Sequence, residues 1–110
     1  MEVSGRKEGQ ALIVEISGRM DASTASKFET TCNEWLEDGE NRLIVDFAGL
    51  EYISSAGLRS ILSIGKKLKS RGGALSVCQM DGMVQEVFEI SGFSSIFPAY
   101  DTIEDALAEC

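Results

Sequence analysis

The sequence predicts an α/β domain: a mixed sheet of about five strands with about four helices packed against it, in the order β-β-α-β-α-β-α-β-α. Two observations carry that prediction. Short runs of β-branched and aliphatic residues alternate with amphipathic stretches whose apolar residues recur at helical spacing. These segments and their turns also account for nearly all of the 110 residues, a length that suits one core and not two. Residues 1–110 are therefore read as a single domain.

Taken in order, Val3 to Lys7 reads as a weak strand and Glu8-Gly9-Gln10 as a turn. Ala11 to Ile16 is a strong strand closed by Ser17-Gly18, so the first two strands form a hairpin. Asp21-Ala22-Ser23 is an N-cap signal for a helix to about Leu36, with Ala25, Phe28, Cys32, Trp35 and Leu36 on one stripe. Arg42 to Phe47 has the apolar run of a buried strand, and Ala48 to Ile53 reads as a loop. Ser54-Ser55 caps a second helix with the stripe Leu58, Ile61, Leu62, Gly65 and Leu68, ended by Gly72-Gly73. Ala74 to Cys78 is a further strand, and Met83, Val84, Val87 and Phe88 mark a third helix stopped at Ser91-Gly92. Ile96-Phe97 reads as a short strand before Pro98, and a last helix runs to Ala108 from Asp101 or Thr102. The β-α-β crossovers are expected to be right-handed.

Composition removes several functions. Ten basic against eighteen acidic residues give a formal charge of −8, which repels nucleic acid and anionic membrane surfaces. The basic run Lys66 to Arg71 is read as a cationic last turn that complements a helix dipole. No apolar stretch approaches the roughly 20 residues of a membrane span. The N-terminus lacks a secretory signal, so a cytoplasmic location is expected. Cys32 and Cys78 read as small buried hydrophobes, and Cys110 as an exposed thiol without a role.

The chain has no histidine, which eliminates Ser-His-Asp and Cys-His arrangements and most zinc sites. No Walker-type phosphate loop is present, and no cofactor is called for. Glu15, Asp21, Asp46 and Glu51 can converge at strand ends, but their spacing does not fit a phosphate-accepting receiver site. Asp46 alone reads as a hydrogen-bonded strand-end carboxylate. The informative segment is Asp46 to Leu58, in which Ser54, Ser55, Ala56 and Gly57 open a helix. Small residues let another backbone approach, and unpaired first-turn amides favour an anion there. Residue chemistry alone leaves two readings of the serines: helix caps, or a cap beside a phosphoacceptor.

Asp46 to Leu58, with its Ser-Ser-Ala-Gly-Leu, resembles the signature of STAS-domain anti-sigma factor antagonists. Ser17 to Asp21 resembles that family's turn between second strand and first helix, and Arg71 to Leu75 its Gly-Gly turn into the fourth strand. Val87 to Phe93 resembles its Leu-Phe-x-hydrophobic-Ser/Thr-Gly-Leu segment. Four motifs in the right order make the resemblance specific. Ser54 stands where many relatives carry aspartate, and Ala56 where they carry serine or threonine.

The resemblance implies a STAS fold and a partner switch in which this chain is not an enzyme. The unphosphorylated protein would bind an anti-sigma factor that is also a serine kinase with a histidine-kinase-like ATPase fold, releasing the kinase's client. Phosphorylation at Ser55 would abolish binding, and a PP2C-type phosphatase would restore it. The implied contact surface comprises Met20, Asp21, Ser23, Ser54, Ser55, Ala56, Gly57, Leu58 and Arg59, on a chain expected to be monomeric when free. A non-switching STAS scaffold subunit of a larger transport or stress-sensing assembly is the alternative.

Overall fold

A computed structural model describes residues 1–109, so Cys110 lies outside the described residues. Five strands form one sheet in the spatial order β1-β2-β3-β4-β5. Strand β1 (Glu2–Glu8) pairs antiparallel with β2 (Ala11–Met20) through a two-residue turn in which Gly9 takes φ +61°. Strands β3 (Arg42–Ile53), β4 (Ala74–Cys78) and β5 (Ala99–Tyr100) then add in parallel. The sheet is mixed, as the alternation of elements requires.

Helices α1 (Ala25–Glu37) and α2 (Ser55–Ser70) cover one face. Their buried residues Phe28, Cys32, Leu36, Ile61, Ile64 and Leu68 meet Leu12, Val14, Val45 and Val77. Helix α3 (Gly82–Ile90) closes that core through Val84 and Phe88, extended by edge-to-face contacts from Phe88 to Phe93 and from Phe93 to Phe97. Helix α4 (Ile103–Ala108) covers a smaller cluster of Ala11, Ile13, Ile44 and Cys78 on the opposite face. With helices on both faces, the central strands are apolar on both sides, hence the unbroken run Ala11 to Val14. No helix among the described residues is long and apolar enough to cross a membrane.

Four local expectations are corrected. Ala48 to Ile53 is not a loop but the second half of β3. Its buried residues Phe47, Leu50 and Ile53 are three apart, because β3 carries two more residues than β2 between Glu15↔Asp46 and Met20↔Ile53. Those bulges break the period-two signal by which a strand is read. Likewise β2 does not stop at Ser17-Gly18 but runs to Met20, with Gly18 at φ +87° within the irregular stretch. Finally, Ile96-Phe97 is not a strand. It follows a 3-10 turn (Phe93–Ser95), and β5 begins only after Pro98. In α2 the stripe holds at Leu58, Ile61, Gly65 and Leu68, but the fully buried Ile64 stands in for Leu62, which is only partly buried.

Burial pushes the thiols of Cys32 and Cys78 up to about 12. Both are small core residues, so thiolate chemistry is suppressed at neutral pH. Iodoacetamide at pH 8 should therefore leave the peptides carrying Cys32 and Cys78 unmodified in the folded protein and modify both in denaturant. Rapid labelling of either peptide under native conditions would contradict this packing.

Candidate phosphorylation and partner-binding site

The site forms where β2 and β3 end side by side. Met20 pairs with Ile53 as the last rung, so the residues that follow, Asp21 and Ser54, leave the sheet together. The Ser54 N–H donates to the Met20 carbonyl at 2.9 Å and ties the two exits. Below this rung the Arg19 guanidinium lies 4.2 Å from the centre of the Tyr52 ring, a further link between the strand ends.

Asp21 builds its own turn. Its Oδ1 accepts from the Ser23 hydroxyl at 2.7 Å and from the Ser23 and Thr24 amides at 3.1 and 3.2 Å. Helix α1 therefore starts later than Asp21-Ala22-Ser23 implies, with Thr24 as the N-cap residue. The Thr24 hydroxyl accepts from the Asp21 amide at 2.9 Å and donates to the Arg19 carbonyl at 3.0 Å. Thr24 is the site residue that reading the sequence missed, although Asp-x-x-Thr spacing signals such a turn.

Hydrogen bonds, led by that from the Ser23 side chain, hold the Asp21 carboxyl below its ordinary value of 3.8. A depressed folded-state value means that the contribution is present above 3.8 and lost as pH falls through the lowered value. The Ser23 and Thr24 amide resonances should accordingly shift in concert with an Asp21 carboxyl titration below pH 3.8, and stay fixed above pH 5. Their titration near pH 4 or higher would break the link.

Helix α2 begins at the second exit. Ser54, at φ −95° and ψ 174°, is its N-cap, and its hydroxyl accepts from the Gly57 amide at 3.2 Å. The Ser54 carbonyl accepts from Leu58 at 3.0 Å. The four amides with no intrahelical acceptor are those of Ser54 to Gly57; Ser54 donates to Met20 and Gly57 to the Ser54 hydroxyl, which leaves those of Ser55 and Ala56. No acidic residue occupies the first turn, while Lys67 and Lys69 lie in the last, so the positive end of the dipole is uncompensated. Replacing Ser54 with alanine should cost about 1 kcal/mol of stability. Urea denaturation checks this, and an unchanged midpoint would show the cap to be idle.

Ser55 is exposed at the first helical position, with Asp21 and Ala56 half-exposed and Ser23 and Arg59 exposed around it. Gly57 lies beneath: a Cβ there would meet Ile53 Cγ1 at 2.9 Å and Met20 Cγ at 3.0 Å. Leu58 is also buried. Met20 is corrected outright: it is fully buried, because its place on the last sheet rung turns its side chain under α2. It supports the face and does not present itself there.

The other sequence candidates stay apart from this face. Asp46 is buried, and its Oδ1 accepts from the Ala48 amide at 3.0 Å and the Gln79 side chain at 2.8 Å. Glu15, beside it in the register, accepts from Arg6 at 2.6 Å. No group of carboxylates and cysteines among the described residues is arranged to hold a metal ion. The basic run ends α2, with Lys67 bonded to Asn33 and Arg71 to the Leu36 carbonyl.

Residues 3–106 match the STAS domain. A protein of Bordetella bronchiseptica, provisionally named anti-sigma factor antagonist BtrV, is 39% identical over 108 residues, which are 98% of this chain and 93% of that protein. The crystal structure of a Thermotoga maritima protein, described provisionally as an anti-sigma factor antagonist, superposes with a TM-score of 0.92 at 24% identity, covering 97% of this chain and 92% of the other. The Bacillus cell fate determinant SpoIIAA in its phosphorylated form superposes with a TM-score of 0.76 at 16% identity, over 98% of each chain. The two structural likenesses concern the fold; the domain match and the similarity to BtrV concern ancestry, and by them this chain belongs to the STAS domain family.

Proposed function

We propose that this protein is an anti-sigma factor antagonist that works as a phosphorylation-controlled partner switch, with Ser55 as the phosphoacceptor. The observation that carries this reading is the exposed Ser55 hydroxyl at the start of α2, next to two free amides and seated on the buried Gly57. A close-fitting partner can approach over Ala56, whose single methyl leaves the first turn uncrowded, while Gly57 faces inward onto Ile53 and Met20. The unphosphorylated face of Asp21, Ser23, Ser54, Ser55, Ala56 and Arg59 binds an anti-sigma factor that is also a serine kinase of histidine-kinase-like ATPase fold. That binding displaces the kinase's client. Transfer of the ATP γ-phosphoryl group to the Ser55 oxygen dissociates the pair, and a PP2C-type phosphatase hydrolyses the phosphoester. The chain itself acts as ligand and substrate and as no enzyme. SpoIIAA, of the same fold, has been solved in a phosphorylated form, which supports the reading.

Incubation with ATP and the kinase-like protein of the same genome, followed by mass spectrometric mapping, tests the site. Label should appear on Ser55 and disappear in Ser55→Ala. Label that survives this substitution, or a complex whose stability ignores phosphorylation as a scaffold subunit's would, overturns the proposal.

A further inference from the structure

The two border strands of the sheet are built differently. Strand β5 is two residues long and follows Pro98, so it offers little to a further strand. Strand β1 is seven residues long, holds no proline, and keeps an unshifted register from Glu2↔Ser17 to Glu8↔Ala11. No strand lies on its outer side among the described residues. The two-residue turn makes Glu8 and Ala11 a hydrogen-bonded pair, and such pairs alternate along an antiparallel ladder. Glu2, Ser4 and Arg6 therefore use their N–H and C=O on β2, whereas Val3, Gly5 and Lys7 direct theirs away from the sheet.

Side chains alternate between the two faces with the same period. Val3, Gly5 and Lys7 stand on the α1 face. A Cβ on Gly5 would meet Trp35 Cζ2 at 2.7 Å, so the indole ring occupies the place of the missing side chain. Val3 and Trp35 are both half-buried against the main core. Glu2, Ser4 and Arg6 stand on the opposite face, where Arg6 donates to Glu15. This order of residues makes the edge complementary to a second copy of itself. In an antiparallel pairing, outward-facing backbone must meet outward-facing backbone, which restricts the two-fold axis to a few residues. Centred on Ser4, each copy sets Glu2 opposite Arg6 of the other, and Val3 opposite Gly5. Centres at Gly5, Arg6 or Lys7 would set Glu2 against Glu8, Arg6 against Arg6 or Lys7 against Lys7. A centre at Val3 joins no opposite charges.

We propose that β1 pairs antiparallel with β1 of a second copy, centred on Ser4, and so joins two sheets into one. Each Val3–Gly5 pair exchanges both of its backbone hydrogen bonds across the axis. Cross-strand neighbours stand about 5 Å apart, so Val3 of the second copy lies against the Trp35 ring that covers Gly5. On the other face, Glu2 meets Arg6 of the second copy and Arg6 its Glu2. The formal charge of −8 on each copy opposes association at long range and led to the expectation of a monomer. At the edge itself the charges alternate in sign, so the pairing forms at high concentration. No residue of the Ser55 face takes part, and the pairing does not rest on the switch.

Sedimentation equilibrium and nitrogen-15 spectra of the whole chain, from micromolar to millimolar concentration, test the pairing. A monomer–dimer equilibrium is expected, in which the Val3 and Gly5 amides shift and gain protection from exchange as the dimer forms. The Ser4 and Arg6 amides, already bonded to β2, should gain no protection. Glu2 is exposed, and the ion pairs of Arg6 with Glu8 and Glu15 lie in solvent, so charge reversal at either residue leaves the fold intact. Glu2→Arg or Arg6→Glu alone sets like charges opposite each other on both sides of the axis and should weaken the dimer roughly tenfold or more. Mixed in equal amounts, the two variants form a heterodimer with both pairs of opposite sign, and wild-type strength should return. Three results would overturn the proposal. They are a monomer at millimolar concentration, a dimer whose shifts gather at the exposed Ile90 or Ile96 and spare β1, and a mixture of variants that associates no better than its components.

Discussion

Ser55→Asp, or the phosphorylated protein, is expected to bind the kinase partner roughly a hundred- to a thousandfold more weakly than the unmodified chain. That corresponds to a loss of about 3–4 kcal/mol. Phosphorylation places about −1.5 to −2 charges on a hydroxyl that is exposed at the first helical residue. In the free protein that charge is well accommodated, since the Ser55 and Ala56 amides and the positive end of α2 favour an anion. In a complex the same charge must shed its water against a nucleotide-bearing partner, which costs several kcal/mol by repulsion and desolvation. The free form is stabilised and the bound form destabilised, so no rearrangement of the domain is needed. Ser55→Ala removes only a hydroxyl and should bind within a few fold of wild type. Isothermal titration calorimetry with the non-hydrolysable form of ATP present distinguishes the variants. Equal affinities for Ser55→Asp and wild type would refute a mechanism based on charge.

Gly73→Ala is expected to be the most damaging single-methyl substitution in the molecule. A Cβ at this position would lie 2.0 Å from the Asn41 carbonyl oxygen, a backbone atom held at the start of β3. That same oxygen accepts from the Ala74 amide at 2.9 Å, and the Gly73 amide donates to the Leu68 carbonyl at 2.8 Å to close α2. Relief of the clash therefore has to break either the end of α2 or the first rung of β4. A loss of roughly 3 kcal/mol follows, which lowers the midpoint of thermal unfolding by about 10 °C or more. The neighbouring Gly72 provides the control. It has φ +77° and open space where a Cβ would go, so Gly72→Ala meets backbone strain alone, about 1–2 kcal/mol. A Gly73→Ala protein as stable as Gly72→Ala would show that the contact is not rigid.

Much of this is legible in the sequence. Helix α2 announces both its ends, with Ser54 as cap and Gly72-Gly73 as stop, because capping is a local chemistry of adjacent residues. The hairpin of β1 and β2 is local in the same way, and the stripe through Phe28, Cys32 and Leu36 follows from helical period alone. Asp46 was recognisable as a bonded strand-end carboxylate, but not that Gln79, 33 residues away, supplies one of its partners. Gln79 takes φ +59° in doing so, which nothing in its neighbours suggests.

What the chain determined by itself is therefore periodicity and punctuation: which segments are helices, where α2 begins and ends, and that a serine pair opens it. What only the tertiary structure decided is relative placement. The extra residues in β3 exist only by comparison with β2, so a strand with bulges looked like a loop. Met20 faces inward because its rung pairs with Ile53, and Asp21 stands beside Ser54 because two parallel strands end level. Strand β5 is two residues long because Pro98 has no hydrogen to offer the edge of β4. Each of these depends on which backbone lies alongside, and the hydrogen bonds of a sheet join residues far apart in sequence.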